Sequence, residues 1–397
     1  MKLVIIGGGA AGSEAALEAR KIDKNAEITI IEKQNYPQYS LCGIPYFLSG
    51  DIENFDNLII FPKEFYERQR IQLLLNKEVK KINIQERKVF LDDNSEIIYD
   101  SLILATGALP CNYKAGYNYP KGVYFIRTLE DAIDLSKKIY TSKKAIIYAY
   151  GWGCKAGCKG CISGRISLEM AYALKNRGLD VTIVSRENRP LRQQIDSDMG
   201  ELVVEYLKSK GINIITDKNV INIAGKEKVD GLIADNELIE AEIVVMASGT
   251  RTNNSIAKDA GIEINKGIKT NSKLQTSIEK IYTCGDCASI KYLFTDEQFS
   301  SSLGTNAVRT GKIAGLNSIG GNLELDPIVN IIIMDFFDLK IGAFGLTEDN
   351  LNDRGIEYVK AKYKGRTRAE YYPGSKEIFI KILSSKEGEI LGFQAIG

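Results

Sequence analysis

Lys2-Leu3-Val4-Ile5-Ile6-Gly7-Gly8-Gly9-Ala10-Ala11-Gly12 is the stretch that decides how this chain folds. A short apolar run of strand type enters a G-x-G-x-x-G turn formed by Gly7, Gly9 and Gly12. A helical pattern of small residues follows (Ala15, Ala16, Leu17, Ala19), then a second strand, Ile28-Thr29-Ile30-Ile31, which ends on Glu32. Strand, glycine turn, helix and strand, with an acidic residue twenty positions past the third glycine, spell a dinucleotide-binding βαβ unit. Gly7 allows the tight turn, Gly9 lets a pyrophosphate approach the backbone, and Gly12 lets the helix close on the strand. The helix N-terminus then faces the phosphates, and Glu32 can bind a ribose hydroxyl.

Next comes Tyr39-Ser40-Leu41-Cys42-Gly43-Ile44-Pro45-Tyr46, whose cysteine has no partner cysteine within thirty residues on either side. Gly43 frees the backbone, and Pro45 suits the first turn of a helix, where a missing N–H costs nothing. A thiol just before a helix start feels the positive end of the dipole, which favours thiolate. A lone cysteine is otherwise read as a small buried hydrophobe. The cofactor-type turn upstream favours the redox reading here.

The rest of the chain extends this plan. Lys63 to Arg68 reads as a helix, and Val79–Ile82 with Lys88–Leu91 as a meander. The strand through Leu104 ends in Ala105-Thr106-Gly107, a turn suited to lie against a cofactor. After a helix from Leu129 to Tyr140, the strand Ala145–Tyr148, a small-residue helix through Leu168 to Leu174, the strand Val181–Val184, a helix from about Asp196 to Lys210, and strands at Ile212–Ile215 and Ile243–Met246 repeat the first plan. The last of these ends in Ala247-Ser248-Gly249, echoing Ala105-Thr106-Gly107. The order predicts a second dinucleotide-type domain inserted in the first. Cys284-Gly285-Asp286-Cys287 then follows a strand; Asp286 is placed to bind a cofactor's ribityl or phosphate region, or to cap a helix. Gly304-Thr305-Asn306-Ala307 opens a helix. From Pro327 onward, β-rich segments at Ile328–Met334, Tyr358–Tyr363 and Ile378–Leu383 predict a separate α+β domain.

The second phosphate loop is rebuilt. Between Tyr148 and Leu168 it is far longer than a tight turn and carries Cys154, Cys158 and Cys161 in a C-x3-C-x2-C spacing. Ser167 stands where a close-packing glycine is expected, and Ser185-Arg186 replaces the acidic residue after the next strand. An arginine there can meet a 2′-phosphate, so NADP is the nicotinamide nucleotide it favours.

Composition narrows the classes. A 397-residue chain with 44% hydrophobic and 26% charged residues is of ordinary globular type, long enough for two or three domains. Its net charge of +1 gives no reason to expect nucleic acid or an acidic membrane as partner. No apolar run approaches the roughly 20 residues a membrane helix needs. Seven cysteines, without an export signal, argue for the cytoplasm and for redox or metal roles over a disulfide framework. There is no histidine, so acid–base steps fall to Cys, Tyr, Lys, carboxylates or water.

Gly7–Gly12 with Glu32, Ser40–Tyr46, Ala105–Gly107, Leu168-Glu169-Met170-Ala171, Cys284–Cys287 and Thr367–Gly374 together resemble the flavin-dependent pyridine nucleotide–disulfide oxidoreductases. The nearest branch is the single-cysteine one, coenzyme A-disulfide reductases and NADH oxidases. The resemblance implies an α/β fold of two Rossmann-like domains and a C-terminal α+β dimerisation-type domain. FAD binds in residues 1–112 and 250–325, NAD(P)H in 113–249 with its cysteine-rich loop 151–164, and the interface domain is 326–397. It further implies FAD contacts from Gly7, Gly9, Ala11, Gly12, Glu32, Lys33, Ser40, Ala105, Thr106, Gly107, Gly285, Asp286 and Thr305, and a homodimer. Cys42 would cycle through a mixed disulfide or sulfenic acid. Tyr371 or Tyr372 would supply the proton a histidine gives elsewhere.

Three departures qualify it. Ala10-Ala11 stand where oxygen- and peroxide-reducing members often carry histidine, which argues against those activities. The second glycine motif has become the cysteine loop. Gly397 falls soon after the strand Ile390–Phe393, where members continue with helices and an aromatic segment, so the interface domain is expected to be shortened or the chain truncated.

Two mechanisms follow. In the first, NAD(P)H reduces FAD, which reduces a Cys42 mixed disulfide with a small-molecule disulfide, persulfide or polysulfide. In the second, Cys154, Cys158 and Cys161 hold a [4Fe-4S] cluster fed by a ferredoxin-like carrier, with Cys111 as candidate fourth ligand. Zinc and idle thiols are the rivals for that loop. A plain binding module would leave Cys42 without a purpose.

Overall fold

The computed structural model of the chain describes residues 1–111, 118–149 and 163–397. Elements are labelled along the chain. The first set is β1 (Lys2–Ile6), α1 (Ala10–Ile22), β2 (Glu27–Ile31), α2 (Ile44–Ser49), β3 (Ile71–Leu74) and β4 (Ser101–Leu104). Next come β5 (Val123–Tyr124), β6 (Lys144–Tyr148), α3 (Ser163–Asn176), β7 (Asp180–Val184), α4 (Ser197–Ser209), β8 (Asn213–Ile215) and β9 (Ile243–Met246). The last are β10 (Ile281–Thr283), α5 (Gly304–Ser318), β11 (Ile332–Phe336), β12 (Leu339–Gly345), α6 (Glu348–Asp353), β13 (Val359–Arg366), β14 (Glu377–Ser384) and β15 (Ile390–Ile396).

Two compact units emerge. The first comprises Met1–Ile44, Asn54–Leu109 and Thr250–Ile328. Its central sheet runs β10-β4-β1-β2-β3, all parallel. Leu3, Val4, Ile5 and Ile6 are all buried because both faces of this sheet are covered, which is why β1 reads as an unbroken apolar run. Each such side chain contributes about 1.5–3 kcal/mol on burial. Ala11, Ala15, Ala16 and Ala19 are strong helix formers and keep α1 thin enough to pack closely. It packs on α5, where a Cβ at Gly311 or Gly315 would fall 2.4 and 2.2 Å from the carbonyls of Ala11 and Ala15.

The second unit comprises Pro45–Glu53, Pro110–Gly249 and Val329–Gly397. One sheet runs β8-β7-β6-β9-β5 with parallel pairing, the same plan as the first. A second five-stranded sheet is antiparallel, in the order β11-β12-β15-β14-β13. A polar knot ties α4 to that sheet. Lys381 of β14, only 1% exposed, donates to Asp196 and Asp198 at 2.9 and 2.8 Å and to Glu348 of α6. Gln394 of β15 donates to Asp196 at 2.8 Å, so this residue's carboxylate serves the knot and leaves the start of α4 without a side-chain cap. Among the described residues no helix is long and apolar enough to cross a membrane.

The expected elements recur with shifts. The strand read at Ile328–Met334 begins only at Ile332, and β12, part of no expected segment, pairs with it through a turn at Phe337. Pro45–Glu53, placed by sequence inside the first domain, clusters with the second unit.

Candidate active site

The Gly7–Gly12 turn is shaped by backbone contacts that exclude side chains. Gly7 has φ +107, and a Cβ there would lie 2.2 Å from the Ala105 carbonyl oxygen. At Gly12 a Cβ would meet the Gly7 oxygen at 1.9 Å. Gly9 differs: a Cβ there has no protein atom within 4 Å, so the space it faces is open for a ligand. The start of α1 has no side-chain cap and no acidic residue in its first turn, and α5 shares both traits. Their first amide donors are therefore available to an anion.

Glu32, at the end of β2, accepts from the Gly8 amide at 2.7 Å and the Gln34 amide at 2.8 Å. Each oxygen keeps a lone pair for a ribose hydroxyl. Ser13 braces the turn from below, donating to the Gly8 carbonyl at 2.9 Å and sharing a 2.7 Å bond with Tyr66. Burial pushes the Tyr66 phenol up to about 12.

Two other predicted segments meet this turn. Ala105 lies against both Gly7 and Gly12. Thr106 donates to the Asn253 carbonyl at 2.5 Å, and Asn253 returns a bond to Thr106 at 3.2 Å. Gly285, at φ +74, stands against Ala11, and its amide donates to Thr310 of α5 at 3.0 Å. Asp286 is half-buried, Thr305 is exposed in the first turn of α5, and Lys33 is exposed beside Glu32. Asn253, Ser13 and Tyr66 carry no motif signal; only the folded contacts reveal them.

Cys42 is exposed in a 3-10 turn, Leu41–Gly43, that runs directly into α2. Ser40 accepts from the Gly43 amide at 3.1 Å and so shapes that turn. Tyr39 donates to Gln34 at 2.6 Å, linking the cysteine stretch to the Glu32 corner. The other described cysteines differ. Cys284 and Cys287 are buried, and burial, then the neighbouring Cys287, raises the Cys284 thiol well above its usual value. Cys111 is half-buried, its amide on Gly249 at 2.7 Å and its carbonyl accepting from Ser248 at 2.5 Å.

In the second unit, Ser185 donates to the Ala149 carbonyl at 3.1 Å and accepts from the Glu187 amide at 3.0 Å, which shapes the turn bearing Arg186. Burial pushes the Glu169 carboxyl up to about 7 against the pull of Arg165. Tyr371 lies 82% exposed between β13 and β14, its ring 4.8 Å from that of Tyr372. Cys154, Cys158 and Cys161 lie outside the described residues, as does most of the loop 151–164.

Two parallel sheets of the dinucleotide-binding type, the second encoded within the first and followed by an antiparallel sheet, define the class of fold. The chain belongs to the pyridine nucleotide-disulphide oxidoreductase family, whose model matches residues 1–311, while that of the family's dimerisation domain matches 331–397. It is 39% identical over 404 aligned residues to an NADH oxidase of Methanocaldococcus jannaschii, covering 100% of this chain and 88% of that protein. A CoA-dependent NAD(P)H sulfur oxidoreductase of Pyrococcus furiosus is 32% identical, with the same coverage of both chains. Among solved structures, an NAD-dependent persulfide reductase from A. fulgidus superposes with a TM-score of 0.91 at 29% identity, over 100% of this chain and 74% of that one. The chain is thus a flavoprotein oxidoreductase of mixed α/β fold; its family uses FAD and NAD(P)H.

Proposed function

We propose that this enzyme reduces a low-molecular-weight disulfide, persulfide or polysulfide through Cys42, with electrons from NAD(P)H. One observation carries the reading: Cys42 is exposed, on a turn tied by Tyr39 to the Glu32 corner of the dinucleotide motif, whereas Cys284 and Cys287 are buried. The names of the relatives, a CoA-dependent sulfur oxidoreductase and a persulfide reductase among them, support the substrate class.

FAD fits the residues present. The open space at Gly9 and the uncapped starts of α1 and α5 suit its pyrophosphate, with Gly7, Ala11 and Gly12 forming the cradle. Glu32 and Lys33 would hold the ribose side. Ser40, Ala105, Thr106, Gly107, Gly285, Asp286 and Thr305 would line the remainder. Bound there, FAD supplies two-electron transfer between a nicotinamide and a thiol–disulfide couple.

The thiol chemistry belongs to the chain. The Cys42 thiolate attacks one sulfur of R–S–S–R′, forming Cys42–S–S–R and expelling R′–S⁻. Two electrons then cleave the mixed disulfide, release R–S⁻ and restore the thiolate. The sum is RSSR′ + NAD(P)H + H⁺ → RSH + R′SH + NAD(P)⁺. Exposed Tyr371 is the proton donor we assign to the leaving thiolate, within a homodimer built through residues 331–397; a cytoplasmic location suits a chemistry that needs reduced thiols. The cluster and ferredoxin-like carrier rest on Cys154, Cys158 and Cys161, which lie outside the described residues, with half-buried Cys111 as the candidate fourth ligand.

Cys42→Ser tests the reading. Coenzyme A disulfide turnover should drop about a thousandfold or more, while flavin content and its bleaching by NAD(P)H persist. Turnover within about tenfold of wild type would remove Cys42 from the mechanism.

A further inference from the structure

The chain crosses between its two compact units just after Cys42. Met1–Ile44 belongs to the first unit, Pro45–Glu53 to the second, and Asn54 returns to the first. Within the second unit, the segment following the thiol is gripped by one end of α3. Arg177, directly after α3, donates from Nε to the Leu48 carbonyl at 2.8 Å. Asn176 donates to the Ser49 carbonyl at 3.1 Å. Both carbonyls sit at the end of α2, where no further helical turn can use them. Gly50 turns away at φ +92, and a Cβ on it would stand 2.8 Å from Arg177 Cζ, so the guanidinium packs against bare backbone.

One turn back on α3, Tyr172 donates to Asp51 Oδ2 at 2.6 Å, an oxygen that also accepts from Ser49 at 2.6 Å. Burial, then Asp51, push the Tyr172 phenol up to about 12, so it remains a donor at working pH. On the other flank, Tyr46 donates to the Asp335 carbonyl at 3.3 Å. A helix as short as α2 does not hold its shape in water, where isolated helices under about 12–15 residues are marginal. Its geometry depends on these contacts.

We propose that Arg177, Asn176 and Tyr172 are positioning residues for the thiol–disulfide step: they clamp α2 and thereby set the Leu41–Gly43 turn that presents Cys42. The proposal rests on Cys42 being the redox thiol. It adds that the segment directly after the thiol is held at the C-terminal end of α3, the end opposite the one that would face a nucleotide's phosphates. Arg177 lies fourteen residues past Ser163, the first residue of α3, or about 21 Å along its axis. The clamp can therefore be altered without touching the nucleotide end.

The test separates the two half-reactions of the flavin-loaded enzyme by stopped flow. In Arg177→Met, bleaching of the flavin by NAD(P)H should stay within about twofold, while reoxidation by coenzyme A disulfide slows about tenfold. Arg177→Lys, whose ammonium can still serve one carbonyl, should recover to within about threefold of wild type. Tyr172→Phe removes a single hydrogen bond, should slow reoxidation about threefold, and decides the matter if Arg177→Met does not fold. Cys42→Ser runs alongside. If it retains disulfide turnover, the assignment of the thiol fails whatever the clamp does. If it loses turnover while the clamp variants reoxidise at the wild-type rate, or slow both halves alike, the clamp is overturned and Cys42 stands.

Discussion

In the first βαβ unit, Gly7–Gly9 alone join β1 to α1; in the second, residues 149–162 separate β6 from α3. The sheets around them are nearly interchangeable. Both opening strands show one exposed residue followed by four buried ones, and both pair in parallel with the strand beyond the helix. What differs is the crossing point of helix and strand. Gly12 has no room for a side chain, whereas Ser167 is fully buried with its hydroxyl on the Gly164 carbonyl at 2.7 Å. The scaffold thus tolerates a rebuilt loop as long as the helix still packs. A tight phosphate turn is a demand of the ligand and not of the sheet.

Adding or trimming one methyl group at the crossing points breaks or sharpens that contrast. Gly12→Ala should cost about 4 kcal/mol or more, because the new Cβ meets a backbone oxygen that cannot swing away. Ser167→Ala deletes only a hydroxyl and its bond, about 1 kcal/mol. Denaturant unfolding and bound-flavin absorbance read both, and similar costs at the two sites would refute the distinction.

Carboxylates extend the comparison. Glu32 in the first unit holds its own phosphate turn, while Asp196 and Asp198 in the second face Lys381 of the antiparallel sheet. Removing that ammonium leaves three carboxylate oxygens within 4.8 Å of one another. Lys381→Met should therefore cost about 3–5 kcal/mol at pH 7. In the wild type, burial raises the carboxyls of Asp198 and Glu348, but Lys362, Lys360 and Lys381 outweigh it and hold both down to about 2. Depressed carboxyls stabilise above their unfolded values near 4, and that contribution disappears as pH falls toward 2. After allowance for solvent screening, it is about 2 kcal/mol for the pair. In Lys381→Met, Asp198 keeps Lys362 and Glu348 keeps Lys360, but buried Asp196 loses its ammonium and the three carboxylates repel one another. Proton uptake is then favoured, so the variant should grow more stable from pH 7 to 5. Unfolding midpoints at the two pH values check this, and a variant that weakens along with the wild type would contradict it.

The same elements show what was legible in advance. The β1–α1 turn and Glu32 could be read because every contact that makes them work is local or follows from a fixed spacing. Lys381 could not. In Ile378-Phe379-Ile380-Lys381-Ile382, alternation points to the isoleucines as the core face, yet Lys381 is buried and the isoleucines are half-exposed. Its carboxylate partners come from α4 and α6, too far along the chain for any pattern to announce. Nothing in the helix opened by Gly304 marks Gly311 and Gly315 as contact points until α1 is seen against them. The handover at Pro45 was hidden for a similar reason: Arg177 and Tyr172 carry no signal linking them to α2. The cysteine loop, plain in sequence, lies outside the described residues.

A further contrast concerns the corner after each second strand. In the first unit it carries Glu32, whose carboxylate suits a ribose diol and repels a phosphate. In the second it carries Ser185-Arg186, with Ser185 bonded to Ala149 and to the Glu187 amide so that the turn holds its shape. Two further arginines follow: Arg189 pairs with Asp349 at 2.7 Å, and Arg192 with Glu187 and Asp349 at 3.3 Å each. Arg186, by its place directly after the second strand, is the guanidinium expected to fork onto a 2′-phosphate. Arg186→Ala should raise the KM for NADPH about tenfold, or 1.4 kcal/mol, and leave that for NADH within about twofold. Steady-state kinetics with both nucleotides measure it. Equal losses for NADH and NADPH would mean that Arg186 supports the turn, and the two corners would then differ in sequence without differing in what they recognise.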